Sequence, residues 1–311
     1  MEEQRAFGTI LVTLDGSAMG EKALPYAGII AKRSQSRIIL FTVCGEDPVE
    51  RQRFEAYLDS VKARMRPWGI PMTTRCIPYG KPADEIVNFS EEKGIGLIIM
   101  CTHGGGGISR WYSGSVSRKV AEESYVPLLL IKGTGIQPVP SYPGMRNILV
   151  ALDGSELAEA VIPLALAMAD GSEGEVILFG VNEAAQFHGS IKSPSSPGWA
   201  EYYEKVVTDA HRRLVEYLET LSRKYHSSKT PVRCEVAIGR PAEAILSFSE
   251  SHDIDAIVMS THGNSGFSPW AFGSVANKVI WGTSKPILFL RPKPDILRGV
   301  CSGRIDEESE S

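Results

Sequence analysis

The strongest constraint on this 311-residue chain is an internal repeat. Thr9-Ile10-Leu11-Val12-Thr13-Leu14-Asp15-Gly16-Ser17 returns as Asn147-Ile148-Leu149-Val150-Ala151-Leu152-Asp153-Gly154-Ser155, with Asp153 standing 138 positions after Asp15. Pro163 follows Pro25 by the same 138. Further on, Gly239-Arg240-Pro241-Ala242-Glu243 repeats Gly80-Lys81-Pro82-Ala83-Asp84 at 159 positions. Met259-Ser260-Thr261-His262-Gly263 repeats Met100-Cys101-Thr102-His103-Gly104 at 159, and Gly273-Ser274-Val275 repeats Gly114-Ser115-Val116. The growth in offset places an insertion near residues 183–199, where Pro194, Ser195, Ser196, Pro197 and Gly198 read as a loop. Several motifs sharing one offset require two copies of one folding unit, in keeping with roughly 150 residues per domain.

Within each copy, apolar runs alternate with helical periodicity. In the first, strands are expected at 9–14, 37–43, 72–78, 96–100 and 127–131, and helices at 18–32, 48–66, 116–124 and from residue 82. Pro25 falls inside the first helix and is expected to kink it, whereas Pro82 sits in a first turn, where proline is tolerated. Strands apolar on both faces and separated by helices predict an α/β fold with a covered parallel sheet. The resulting division is a first domain over 1–135, a Gly- and Pro-rich linker over 136–145, and a second domain over 146–295. A polar tail over 296–311, ending Asp306-Glu307-Glu308-Ser309-Glu310-Ser311, is expected to be disordered.

Composition removes other classes. A net charge of −4 gives no global basic field for nucleic acid or anionic lipid. The five cysteines are scattered without CxxC spacing, which argues for free thiols rather than a disulfide framework or zinc site. The acidic first residues do not resemble a signal peptide, and the longest apolar run, 160–169, is far below the ~20 residues of a membrane span. The expected location is the cytoplasm.

Chemistry concentrates at the strand ends. Gly104 with Gly114 and Ser115, and Gly263 with Gly273 and Ser274, lie between a strand and a helix. Backbone N–H groups and a helix dipole could hold a phosphate there. The same residues suit turn glycines and N-capping serines equally well. Neither loop carries the Gly-Lys-Ser/Thr of a Walker loop. Asp15 and Asp153 end the first strands, where open α/β sheets place ligands, and could meet a ribose hydroxyl or a metal ion, or start the next helix. His103 and His262 recur, but no partner histidine recurs with them, so a loop hydrogen bond or ligand contact is the default over catalysis.

Strand-Asp-Gly-Ser, Gly-Lys/Arg-Pro-Ala and Thr-His-Gly…Gly-Ser-Val, in that order, resemble the universal stress protein family, over residues 7–132 and again over 146–291. The resemblance implies two tandem doubly wound, Rossmann-like domains, each with a five-stranded parallel sheet of order 3-2-1-4-5. Asp15 would then face the Gly104 loop, and Asp153 the Gly263 loop, across a switch-point crevice. It further implies adenosine contacts at Asp15 and Val43, and at Asp153 and Val181. Phosphate contacts would fall on Gly104, Gly114, Ser115 and the adjoining Val116, and on Gly263, Gly273, Ser274 and the adjoining Val275. The first glycine of the family's signature is Cys101 in one copy and Ser260 in the other, where a side chain could crowd the ribose or phosphates.

The expected function is that of a regulator or sensor binding ATP, with Mg²⁺, or AMP at two pseudo-equivalent sites, and not that of an enzyme, with slow ATP hydrolysis left open. The alternative is a nucleotide-free interaction protein of the same fold. In that case the halves would pair pseudo-symmetrically through their fifth strands, and whole chains could pair further.

Overall fold

The structure, a computed structural model, describes residues 7–102, 115–132, 145–169, 174–184, 199–227, 229–262 and 272–291. His103, Gly104, Gly114, Gly263, linker residues 136–144 and the 296–311 tail lie outside them.

The first half runs β1 (Thr9–Thr13), α1 (Ala23–Arg33), β2 (Arg37–Val43), α2 (Pro48–Met65), β3 (Met72–Ile77), α3 (Pro82–Glu92), β4 (Leu97–Cys101), α4 (Ser115–Glu123) and β5 (Leu128–Ile131). The second runs β6 (Ile148–Leu152), α5 (Glu156–Glu159), α6 (Ile162–Ala169), β7 (Val176–Asn182), α7 (Trp199–Tyr225), β8 (Val232–Ile238), α8 (Pro241–Ser251), β9 (Ala256–Ser260), α9 (Ser274–Gly282) and β10 (Ile287–Leu290). Each half has the expected order 3-2-1-4-5 with parallel pairs throughout. The halves do join through their fifth strands. β5 and β10 pair antiparallel, Leu129 opposite Leu288, and the two sheets become one ten-stranded mixed sheet.

Burial follows position in that sheet. Central β1 and β6 are buried at every residue, while edge strand β3 alternates between half-buried and exposed positions. One sheet face places Ile10, Val12, Leu40, Val150 and Leu178 under α1, α2, α6 and α7. The other places Leu11, Phe41, Leu149 and Phe179 under α3, α4, α8 and α9. Both cores run across the seam between halves. The duplicated packing reaches single rings: Phe41 and Phe89 lie 4.9 Å apart, and their counterparts Phe179 and Phe248 lie 4.7 Å apart. Among the described residues no helix is long and apolar enough to cross a membrane.

Two local expectations change. Pro25 does not kink a helix interior. A short 3-10 turn, Gly20–Lys22, comes first, so Pro25 falls in the first turn of α1, where no intrahelical N–H bond is lost. Pro163 likewise sits in the first turn of α6, with the short α5 ahead of it. The insertion is also not loop alone: α7 has 27 residues against 18 in α2, so part of the added chain extends a helix.

Candidate ligand site at the switch points

β1 and β4 are neighbours from which the chain departs in opposite directions, and so are β6 and β9. A crevice opens beyond the carboxyl ends of such strands. In the second half it is a cavity of about 230 Å³. Asp153, Val181, Ser260, Gly273, Ser274 and Val275 all line it, so it gathers every residue the resemblance pointed to in that half except Gly263, which lies outside the described residues.

The local sequence explains the placement. Gly154, at φ 86°, turns the chain directly after β6, a conformation that side chains resist, and Gly16 does the same after β1 at 78°. The turn lets Asp153 Oδ1 accept from Ser155 N at 3.1 Å and Ser155 Oγ at 2.6 Å, while Ser155 Oγ caps α5 by accepting from Ala158 N at 3.1 Å. Helix capping and cleft placement are therefore one arrangement, not alternatives. Across the crevice α9 begins at Ser274, and its first-turn N–H groups have no intrahelical acceptor by helix geometry. Gly273 N–H is committed to Thr261 O at 3.0 Å. A β-carbon on Gly273 would lie 3.2 Å from that oxygen, so glycine there permits close approach of two backbones.

Ser260, in the place of the signature's first glycine, donates its hydroxyl to His262 O at 2.8 Å. His262 Nδ1 lies 2.9 Å from Thr261 Oγ1, in keeping with a hydrogen-bonded loop histidine. The remaining wall escaped sequence reasoning. Phe179, Ile245 and Met259 make it apolar, Leu214 reaches in from α7, and Pro241 comes from the Gly-Arg-Pro-Ala turn. Glu183, the first residue past β7, adds a second carboxylate; its position at a strand's carboxyl end was the available signal.

The first half shares the frame but not the exposure. Asp15 accepts from Ser17 N at 3.0 Å and Ser17 Oγ at 2.6 Å, and Ser17 Oγ accepts from Gly20 N at 2.9 Å. Yet Asp15 is only 4% exposed, whereas Asp153 is exposed. Gly20 packs against Asp15 so closely that a β-carbon there would lie 2.6 Å from Oδ1. Cys101, ending β4, is 3.7 Å through Sγ from Gly20 O. Burial, reinforced by the Asp15 charge, pushes its thiol up to about 12. Val43 ends β2 and is buried, and Ser115 and Val116 open α4. Ser117 Oγ, one residue on, donates to Thr102 O at 3.4 Å and ties α4 to the end of β4.

Two doubly wound halves, each with an aspartate after its first strand and the start of its last helix at the switch point, define a tandem Rossmann-like α/β protein. The sequence pattern of the universal stress protein family matches residues 6–132 and again 144–291, and the chain belongs to that family. A universal stress protein of Mycobacterium tuberculosis is 25% identical over 214 residues, 68% of this chain and 67% of the relative. One from Bacillus subtilis is 29% identical over 147 residues, 40% of this chain and 99% of the relative. The crystal structure of a universal stress protein from Archaeoglobus fulgidus superposes with a TM-score of 0.67 at 22% identity, covering 93% of this chain and 99% of that one, and shares the fold.

Proposed function

We propose that the protein is an adenine-nucleotide-binding regulator that retains ATP, with Mg²⁺, or AMP, without turning it over. The observation that carries this reading is the second-half cavity, in which an apolar wall, Asp153 and the start of α9 converge. A planar base suits Val181, Ile245 and Met259, a ribose hydroxyl suits the Asp153 carboxylate, and phosphates suit the positive end of α9. At about 230 Å³ the cavity is smaller than the usual range of about 300–1,000 Å³, so its described walls suit a nucleoside, with the phosphates extending over α9. The described lining contains two carboxylates, Asp153 and Glu183, and no lysine or arginine, which favours a nucleotide whose charge is offset by Mg²⁺.

The two clefts are proposed to be unequal. Asp153 is exposed, while Asp15 is buried against Gly20 and flanked by Cys101, so the second half is the tighter site. Mass spectrometry of nucleotide released from the purified, denatured protein, together with calorimetric titration of ATP and AMP, tests the proposal. Binding at the tighter site weakened at least tenfold in Asp153→Ala with unchanged circular dichroism supports it. Folded protein that binds neither nucleotide would refute it and favour the interaction-protein alternative.

A further inference from the structure

Cys44 and Cys76 meet at the outer edge of the sheet. Cys44 is the first residue past β2, and Cys76 is the penultimate residue of the neighbouring edge strand β3. Their Sγ atoms are 3.2 Å apart, and Cys44 Sγ lies 3.3 Å from Ile77 O. The backbone fixes the pair: Thr42 is opposite Cys76 in the parallel register, and Cys44 N donates to Ile77 O at 2.8 Å. Cys44, two residues beyond Thr42, is therefore the diagonal neighbour of Cys76, and closing the bridge draws the end of β2 toward β3. Cys44 is buried, and Cys76 is half-buried on β3, an edge strand of the sheet among the described residues.

We propose that Cys44 and Cys76 are a two-electron oxidation site, closing to an intramolecular disulfide that reducing thiols reopen. The oxidant class is a hydroperoxide. One sulfur, as thiolate, attacks the terminal peroxide oxygen; an S–O bond forms, the O–O bond breaks, and the departing alkoxide takes a proton to leave as an alcohol. The second sulfur then displaces the hydroxyl of this sulfenic acid, the S–S bond forms, and water leaves. Two thiols and one hydroperoxide thus give one disulfide, one alcohol and one water. The sulfurs close by about 1.2 Å to reach the bonded distance of about 2.0 Å.

The site belongs to the first half alone. Asn182 stands 138 positions after Cys44, and its side chain bonds Val207 O and Ala184 N. Val236 lies opposite Gly180 where Cys76 lies opposite Thr42. Cys44 adjoins Val43, so the bridge pins the strand end that flanks the first cleft and leaves the second unchanged. Only that last consequence rests on the nucleotide reading; the sulfur chemistry does not.

The test treats the folded full-length chain with hydrogen peroxide, removes the peroxide, unfolds the chain and blocks remaining thiols with N-ethylmaleimide. Three adducts in place of five, a mass lower by two hydrogens before blocking, and a non-reduced peptide joining Cys44 to Cys76 are expected. Dithiothreitol should restore all five thiols. Cys44→Ser and Cys76→Ser should each keep all four of their remaining thiols and give no joined peptide. If either variant fails to fold, the wild-type peptide map decides alone. Five adducts after peroxide treatment, or a bridge through another cysteine or between chains, would overturn the proposal.

Discussion

Lys132, the first residue past β5, donates from Nζ to the carbonyl oxygen of Ile280 in the last turn of α9, across the seam between the halves. Arg291, 159 positions later and the first residue past β10, donates in return to Glu122 O in the last turn of α4. Each cation also lies over a ring, Lys132 at 5.3 Å from Trp281 and Arg291 at 4.9 Å from Tyr125. A cation at the negative end of a helix is worth about 0.3–1 kcal/mol, and an aromatic face adds a comparable amount. Arg291→Ala should cost about 1–2 kcal/mol in urea unfolding. A loss below a few tenths would show that the seam is held by β5–β10 pairing alone.

Lys132 carries a pH signature as well. Burial pulls its ammonium down to about 8 from the ordinary 10.5. Between these values the unfolded chain binds more protons than the folded one, so this contribution to stability rises with pH across the window and is flat below it. Thermal melts from pH 7 to 10.5 should show the wild type gaining on Lys132→Met above pH 8. A constant difference would contradict the assignment.

The two aspartates should respond differently to the same change. Asp153→Ala, at an exposed position, should weaken nucleotide binding at least tenfold while lowering stability by about 1 kcal/mol through the loss of its turn hydrogen bonds. Asp15→Ala should cost stability more, by about 1–3 kcal/mol, because it strips a buried turn of its acceptor. Calorimetry and denaturation on the same samples separate these outcomes.

Ser260→Gly asks whether the missing first glycine matters. The Ser260 hydroxyl is already committed to His262 O, so affinity should stay within about threefold, or about 0.65 kcal/mol. A large gain would mean that the serine obstructs the ligand.

Trp68 packs against Gly28 of α1, where a β-carbon would come within 1.6 Å of the ring. Gly28→Ala should therefore expel the indole, lower stability by about 1–3 kcal/mol despite alanine's better helix propensity, and shift the tryptophan emission. Unchanged emission and raised stability would refute this packing.

The alternation of strands and helices was legible because β1 and β6 carry buried apolar runs and because Asp15 and Asp153, and Ser115 and Ser274, mark strand ends and helix starts by local chemistry. The order of the strands, by contrast, came from the family resemblance. What escaped depends on contacts between distant segments. Leu214 reaches the cavity from a helix whose length no motif announces. Cys44 and Cys76 are 32 residues apart and meet only because β2 and β3 take one particular register. The unequal burial of Asp15 and Asp153 arises from the fit of Gly20, although the two Asp-Gly-Ser turns are written identically.

The antiparallel join of β5 to β10 also sets direction. All strands of one half point their carboxyl ends toward one edge of the sheet, and those of the other half toward the opposite edge. The two crevices therefore open back to back. A partner resting against either end of the strands would meet one crevice only, and any coupling between the two would have to run through the strands and the helices laid across them.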